Sequence, residues 1–366
     1  MNRRHALFAI TSARVALGSQ ANSKVQVGTI GTGNRGRYDT NFAAQDGRAQ
    51  VVALCDLYPD QLDRAKTQAP AASSAKTFKD AAEMLAMPGL DAVFICTPVY
   101  LHPDHFALAV QAGKHIYCEK PAGADVAGVN KVLKFARIAK PPQVIFFGFQ
   151  QRWSPEYLAA EQIIRSGKLG DLLLMRAEWM VGGIRFGAQE RQLTPEQLER
   201  VWYPFVSKSG GMIVEQDCHG VDVLNWFAQA KPLSASGSGG KGRRAIGDNI
   251  DFANVTYQYP NNLSGILTAT QLIQTPGEVR EQFWGSLGTI TTHRKWYEHV
   301  AAPNQVTRVE SKREITIDAI AQFLSHILEG KPKNMAFDAC DSTLTAILGR
   351  MAVERRATVL WSDLRA

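Results

Sequence analysis

The feature that most constrains this chain is a strand-like run that feeds directly into a glycine pattern. Val25-Gln26-Val27-Gly28-Thr29-Ile30 is followed without a break by Gly31-Thr32-Gly33-Asn34-Arg35-Gly36, and then by a helix-compatible segment. That order suits a dinucleotide-binding turn. Gly31 permits the tight strand-to-helix reversal, Gly33 lets backbone approach a pyrophosphate, and Gly36 allows close helix–strand packing. The helix that follows aims its unpaired N–H groups at the phosphates. A lone glycine pattern also fits an ordinary turn. Here Val51-Val52-Ala53-Leu54-Cys55 reads as a second strand ending at Asp56. An acid about 20 residues beyond the glycines can hold a ribose 2′-hydroxyl.

Further short apolar strands alternate with helical patterns as far as residue 150. Leu90–Cys96 closes on Thr97-Pro98, His115–Cys118 on Glu119-Lys120-Pro121, and Val144–Phe147 on Gly148. The intervening segments, 59–66, 103–113 and 126–139, read as helices. This alternation predicts a doubly wound parallel sheet, in which ligands collect at the carboxyl ends of the strands. Beyond residue 150 the pattern changes to longer alternating strands at 172–180, 250–257 and 265–270. A hairpin near 282–291 and two closing helices at 317–328 and 337–353 follow. The expectation is an α/β fold: a Rossmann domain over 23–149 and an α+β domain over 150–366 with a mostly antiparallel open sheet.

Bulk properties narrow the function classes. A chain of 366 residues exceeds the usual single-core size. The net charge of +7 comes from scattered residues with no basic helix interleaved with aromatics, so a nucleic-acid surface is not expected. No run of about 18 apolar residues suggests a membrane span. The five cysteines form no CxxC pair, which argues against a disulfide framework or thiolate metal site. Residues 1–22 differ from the rest: Arg3-Arg4 precede Ala6–Ile10, as in a twin-arginine export leader to the periplasm. The other reading is a disordered tail on a cytoplasmic protein.

The second half carries one segment rich in chemistry, Gly210 to Asp222. If Glu215 already lies on the helix that continues through Trp226, then Glu215, His219 and Asp222 share one face. An imidazole beside carboxylates can take a hydroxyl proton, with one acid fixing its tautomer. An ion pair on a helix surface fits the same spacing equally well. Zinc fits poorly, because no HExxH or similar pattern occurs. Lys120, at the ligand-bearing rim of the first domain, can stabilise a developing alkoxide.

Taken together, these motifs resemble the Gfo/Idh/MocA oxidoreductases. The resemblance runs from about residue 24 to the C-terminus. It rests on Gly31–Gly36, Thr97-Pro98 with His102, Glu119-Lys120-Pro121, Gly148-Phe149-Gln150-Gln151-Arg152, Ser166–Gly170 and Gly210–Asp222. It implies NAD, with NADP as the alternative, and a sugar, cyclitol or related substrate. A homo-oligomer, dimer or tetramer, is also implied. By position, Lys120 is similar to the family's Glu-Lys-Pro lysine and His219 to its catalytic histidine. Glu215 stands where many members have aspartate, and the resemblance implies a catalytic-site role for it, orienting His219 or holding a sugar hydroxyl. Gly31, Gly33, Asn34, Arg35, Gly36, Asp56, Thr97, Pro98, His102, Glu119 and Lys120 are the expected cofactor residues. Arg152, Trp153, Tyr203 and Asp222 are the expected substrate residues, and the loop 181–209 is expected to set substrate choice. Three functions follow as alternatives: an NAD(P)-dependent dehydrogenase, an NAD-retaining redox-assisted glycosidase, or a non-catalytic dinucleotide or sugar sensor.

Overall fold

The structure, a computed structural model, describes residues 24–182, 193–274 and 276–365. The Arg3-Arg4 leader and residues 183–192 of the expected specificity loop lie outside them. The first sheet contains β1 (Val25–Ile30), β2 (Ala49–Cys55), β3 (Lys76–Phe78), β4 (Ala92–Ile95), β5 (His115–Cys118) and β6 (Ile145–Phe147). All neighbours are parallel, in the order β3-β2-β1-β4-β5-β6. The order reverses between β1 and β4, which opens a crevice at their carboxyl ends. The connecting helices are α1 (Asn34–Gln45), α2 (Pro59–Gln68), α3 (Ala81–Leu85), α4 (His102–Gln111) and α5 (Val126–Ile138).

The second half opens with α6 (Pro155–Arg165) and β7 (Leu172–Met180). Among the described residues four helices follow: α7 (Pro195–Glu199), α8 (Val206–Ser209), α9 (Met212–Glu215) and α10 (Cys218–Ala228). Strands β8 (Ser234–Gly240), β9 (Phe252–Gln258), β10 (Ser264–Thr270) and β11 (Glu278–Gly285) come next. The chain ends with β12 (Thr289–His293), β13 (Trp296–Ala302), β14 (Gln305–Glu310), α11 (Ile315–Leu328), α12 (Ala336–Arg355) and β15 (Val359–Leu360). The nine strands run β14-β13-β12-β11-β7-β10-β9-β8-β15. Every pairing is antiparallel except β10 with β7. Asn261 and Asn262, both at φ 60°, make the turn expected between β9 and β10. Strand β9 alternates exposed and buried residues throughout, so one face of this sheet is covered and the other is open.

The division of the chain at residue 150 is not a division in space. Helix α11 returns to the first sheet, where Phe323 packs on Phe94, Tyr117 and Phe146 at centroid distances of 5.9, 5.7 and 5.5 Å. Removing a ring so enclosed costs about 3–5 kcal/mol. An amphipathic helix carries no label for the sheet it covers.

Candidate active site

The glycine turn is built by close backbone approach. Gly31 has φ +86°, and a side chain there would meet Thr97 N at 2.7 Å. A Cβ on Gly36 would lie 1.9 Å from the Gly31 carbonyl oxygen. Gly33 is different: nothing lies within 4 Å of its Cβ position. The open space is therefore on the side where an anion would approach, and no side chain caps the N-terminus of α1. Asp56 Oδ2 accepts hydrogen bonds from Thr32 N (2.8 Å) and Thr32 Oγ1 (3.1 Å), and Oδ1 accepts from Tyr58 N (3.0 Å). These bonds fix the carboxylate at the end of β2, on the wall of a cleft of about 350 Å³ that Gly31, Thr97 and Pro98 also line. A nucleotide fits this donor and acceptor set, with pyrophosphate at Gly33–Gly36 and a ribose at Asp56.

Neither nearby arginine is placed to favour a 2′-phosphate. Arg35 turns inward: its Nε donates to Glu119 Oε1 (2.9 Å), its Nη2 lies 2.7 Å from the same oxygen, and its Nε is 3.2 Å from Asp39. Arg37 is spent on the Thr32 carbonyl, Gln61 and Asn34. Glu119 can sit there because Gly148 has no side chain; a Cβ would lie 2.5 Å from its Oε1. His102 departs from its expected role. Its ring nitrogens lie 2.8 Å from the carbonyl oxygens of Thr97 and Pro121, so it ties two rim loops together while itself buried.

Lys120, from the end of β5, reaches across to the second half. Its Nζ donates to the Glu215 carbonyl oxygen and lies 3.4 Å from Glu215 Oε1. Burial opposes its charge most strongly, but Glu215, Cys218 and Glu119 together outweigh this and raise its pKa. His219 stands in the same field. Burial, reinforced by Lys120, Arg294 and Arg35, holds its pKa well below 6.5, so the imidazole is neutral at pH 7. Its ring stacks on Trp179 (5.5 Å between centroids, 12° between planes) and meets Phe149 edge-on. Its Nδ1 is buried without a hydrogen-bond partner. A neutral imidazole beside an ammonium can accept a proton from a hydroxyl that the ammonium also touches.

The shared helical face is not observed. The chain breaks between α9 and α10 at Gln216-Asp217, so Glu215 and His219 lie on separate helices. Neither carboxylate bonds the imidazole. Asp222 instead accepts three hydrogen bonds from Arg152 at 2.8–3.1 Å and one from Ser342 Oγ at 2.7 Å. Two of the expected substrate residues are thus consumed in one buried ion pair. Trp153, a third, stacks on Phe146 at 4.4 Å, in the packing around α11. Tyr203 lies in the field of Glu215. Burial, with the Glu215 charge next, raises the pKa of its hydroxyl, which accepts from Gln271 Nε2 at 2.6 Å. Trp179 was missed, although strand parity puts it on the covered face with Met175 and Ala177. Arg294, 5.0 Å over the Trp179 ring, carried no sequence signal. Among the described residues no group of three His, Cys, Asp or Glu side chains could hold a metal ion.

Two profiles match this chain: the oxidoreductase family, NAD-binding Rossmann fold, over residues 25–145, and the GFO/IDH/MocA C-terminal domain over residues 157–291. The chain belongs to the Gfo/Idh/MocA oxidoreductase family. It is an oxidoreductase, and NAD is its cofactor. Among its relatives, the myo-inositol 2-dehydrogenase of Thermotoga maritima is 21% identical over 90% of this chain and 95% of its own length. The inositol 2-dehydrogenase of Rhizobium meliloti is 23% identical over 74% of this chain and 76% of its own. Two solved folds are similar. Levoglucosan dehydrogenase in complex with NADH and levoglucosan has a TM-score of 0.79 at 17% identity, covering 92% of this chain and 99% of its own. The scyllo-inositol dehydrogenase of Lactobacillus casei with bound NAD(H) and scyllo-inositol has 0.73 at 21% identity, covering 93% and 100%.

Proposed function

We propose that this protein is an NAD-dependent dehydrogenase that oxidises a ring hydroxyl of a cyclitol, sugar or sugar derivative. The observation that carries the reading is a charged Lys120 from the first half packed against Glu215, in the field of a neutral His219. Bound NAD supplies the hydride acceptor. His219 takes the proton from the hydroxyl, and the Lys120 ammonium donates to the same oxygen as it gains alkoxide character. Glu215 keeps Lys120 charged and aimed. The relatives named for inositol and levoglucosan support this substrate class.

The open face of the nine-stranded sheet is the surface for a homo-oligomer, and the Arg3-Arg4 leader exports the folded protein. Sedimentation and cell fractionation test these points separately. The reaction itself is tested by adding NAD with myo-inositol, scyllo-inositol, levoglucosan and a panel of aldoses and glycosides, and following absorbance at the NADH band. Stoichiometric NADH formation with at least one polyol is expected. Glycoside cleavage without net NADH would overturn the dehydrogenase in favour of the redox-assisted glycosidase.

A further inference from the structure

The cleft at Asp56 is walled on one side by residues that do not belong to the first sheet. Glu199, Arg200, Trp202 and Lys208 line it together with Gly31, Asp56 and Pro98. These four residues come from the segment that follows β7. A capping box at Thr194, with Pro195 opening the helix, starts α7 and sets up the turn that presents Arg200. Arg200 then reaches the first half. Its Nη1 lies 2.8 Å from Asp60 Oδ1, and its guanidinium sits 4.0 Å over the Tyr58 ring. Tyr58 and Asp60 directly follow Asp56, at the start of α2.

The far end of the segment is anchored in the second half. The Pro204 carbonyl accepts from Asp248 N (3.1 Å) and Asn249 N (3.0 Å), and Asp248 Oδ1 accepts from Val206 N at 2.8 Å. Gly247 packs so close that a Cβ would meet the Pro204 oxygen at 2.1 Å. One end is thus held firmly by the second half, and the other reaches the first half through Arg200.

We propose that Arg200 is a latch on the cofactor: its pairing with Asp60 and Tyr58 closes the adenosine end of the cleft, and NAD enters and leaves only when that pairing opens. The grip suits such a task. A partly exposed ion pair and a cation–π contact are each weak, so together they slow exchange without blocking it. Because the latch spans the entrance, loosening it speeds entry and exit alike. A simple ligand contact would alter exit alone.

The test is stopped-flow release of NADH, read by its fluorescence after a chase with excess NAD, together with the association rate. Arg200→Ala and Asp60→Asn are expected to release NADH about tenfold faster and to bind it several-fold faster, about the product of two weak contacts. Arg200→Lys, which keeps the charge and loses the planar stack, is expected between them and the parent. The melting temperature of the nucleotide-free protein reports folding for each variant. Release and association at the parent rates in a folded Arg200→Ala protein would overturn the latch, as would faster release with unchanged association. The readout is nucleotide binding, so failure of every polyol in the turnover panel leaves it intact and counts only against the proposed reaction.

Discussion

The two halves of the site are made of different materials. The pyrophosphate turn of the cofactor half is backbone: only glycine fits at Gly31 and Gly36, because a Cβ would collide with main-chain atoms at 2.7 and 1.9 Å. The chemical half is side chains whose charges depend on one another, with Lys120 held by Glu215 and His219 kept neutral by burial and by Lys120. A backbone site is preformed and indifferent to pH. A side-chain site is tuned, and can lose its chemistry while keeping its shape.

That contrast can be broken by experiment. The largest effect belongs to His219→Ala, which should lower kcat by about 10²–10⁴-fold while NADH affinity, measured by fluorescence titration, stays near the parent value. Loss of both together would erase the distinction. Asp222→Ala comes next, because it strands Arg152 in a buried position: thermal unfolding should report a loss of about 3–5 kcal/mol. A protein of unchanged stability with a raised KM would instead return Asp222 to substrate binding. Gly33→Ala should act on the ligand alone. Its Cβ meets no protein atom, so the nucleotide-free melting temperature should hold while NAD affinity falls about tenfold, as crowding of a phosphate predicts.

The pH responses separate the halves further. His219 has a folded pKa well below its unfolded value of 6.5. It therefore remains a base as pH falls through 6.5, and the acid limb of kcat/KM should begin well below that point. Above 6.5 the buried neutral ring costs no stability through protonation. Below it the unfolded chain binds the extra proton, so stability declines with acid. Glu281 has the opposite sign and the smallest effect. Burial pushes its carboxyl up to about 7, against hydrogen bonds from Thr292 and Tyr157. The folded state thus binds the proton more tightly, and stability falls as pH rises from 4.5 through 7. Glu281→Gln should gain about 1 kcal/mol at pH 8 and nothing at pH 5, read by denaturant melts at both values.

Legibility in the sequence follows the same contrast. The glycine turn, Asp56 and the strands β1 and β7 could be read directly, because local pattern determines them. Strand β8, Ser-Ala-Ser-Gly-Ser-Gly-Gly, looks like a loop. It forms because β9 and β15 pair with it and because Gly237 and Gly239 let α12 approach, with Val353 about 3 Å from their Cβ positions. Periodicity placed Glu215, His219 and Asp222 on one helix, and it could not foresee Asp222 being captured by Arg152, 70 residues away. Nor could it reveal that Trp179 stacks on His219 or that Arg200 bridges to Asp60, since each contact joins distant parts of the chain.

In the proposed reaction an ammonium from one half and an imidazole from the other serve a single substrate oxygen. The direct test is a double-mutant cycle of Lys120→Ala and His219→Ala on kcat/KM, using whichever polyol turns over, with NADH affinity measured alongside. Groups acting on one oxygen should be strongly non-additive, so that the double variant is little worse than the poorer single variant and NADH binding is preserved in all three. Losses that simply multiply, or a single variant that retains full turnover, would contradict the shared oxygen.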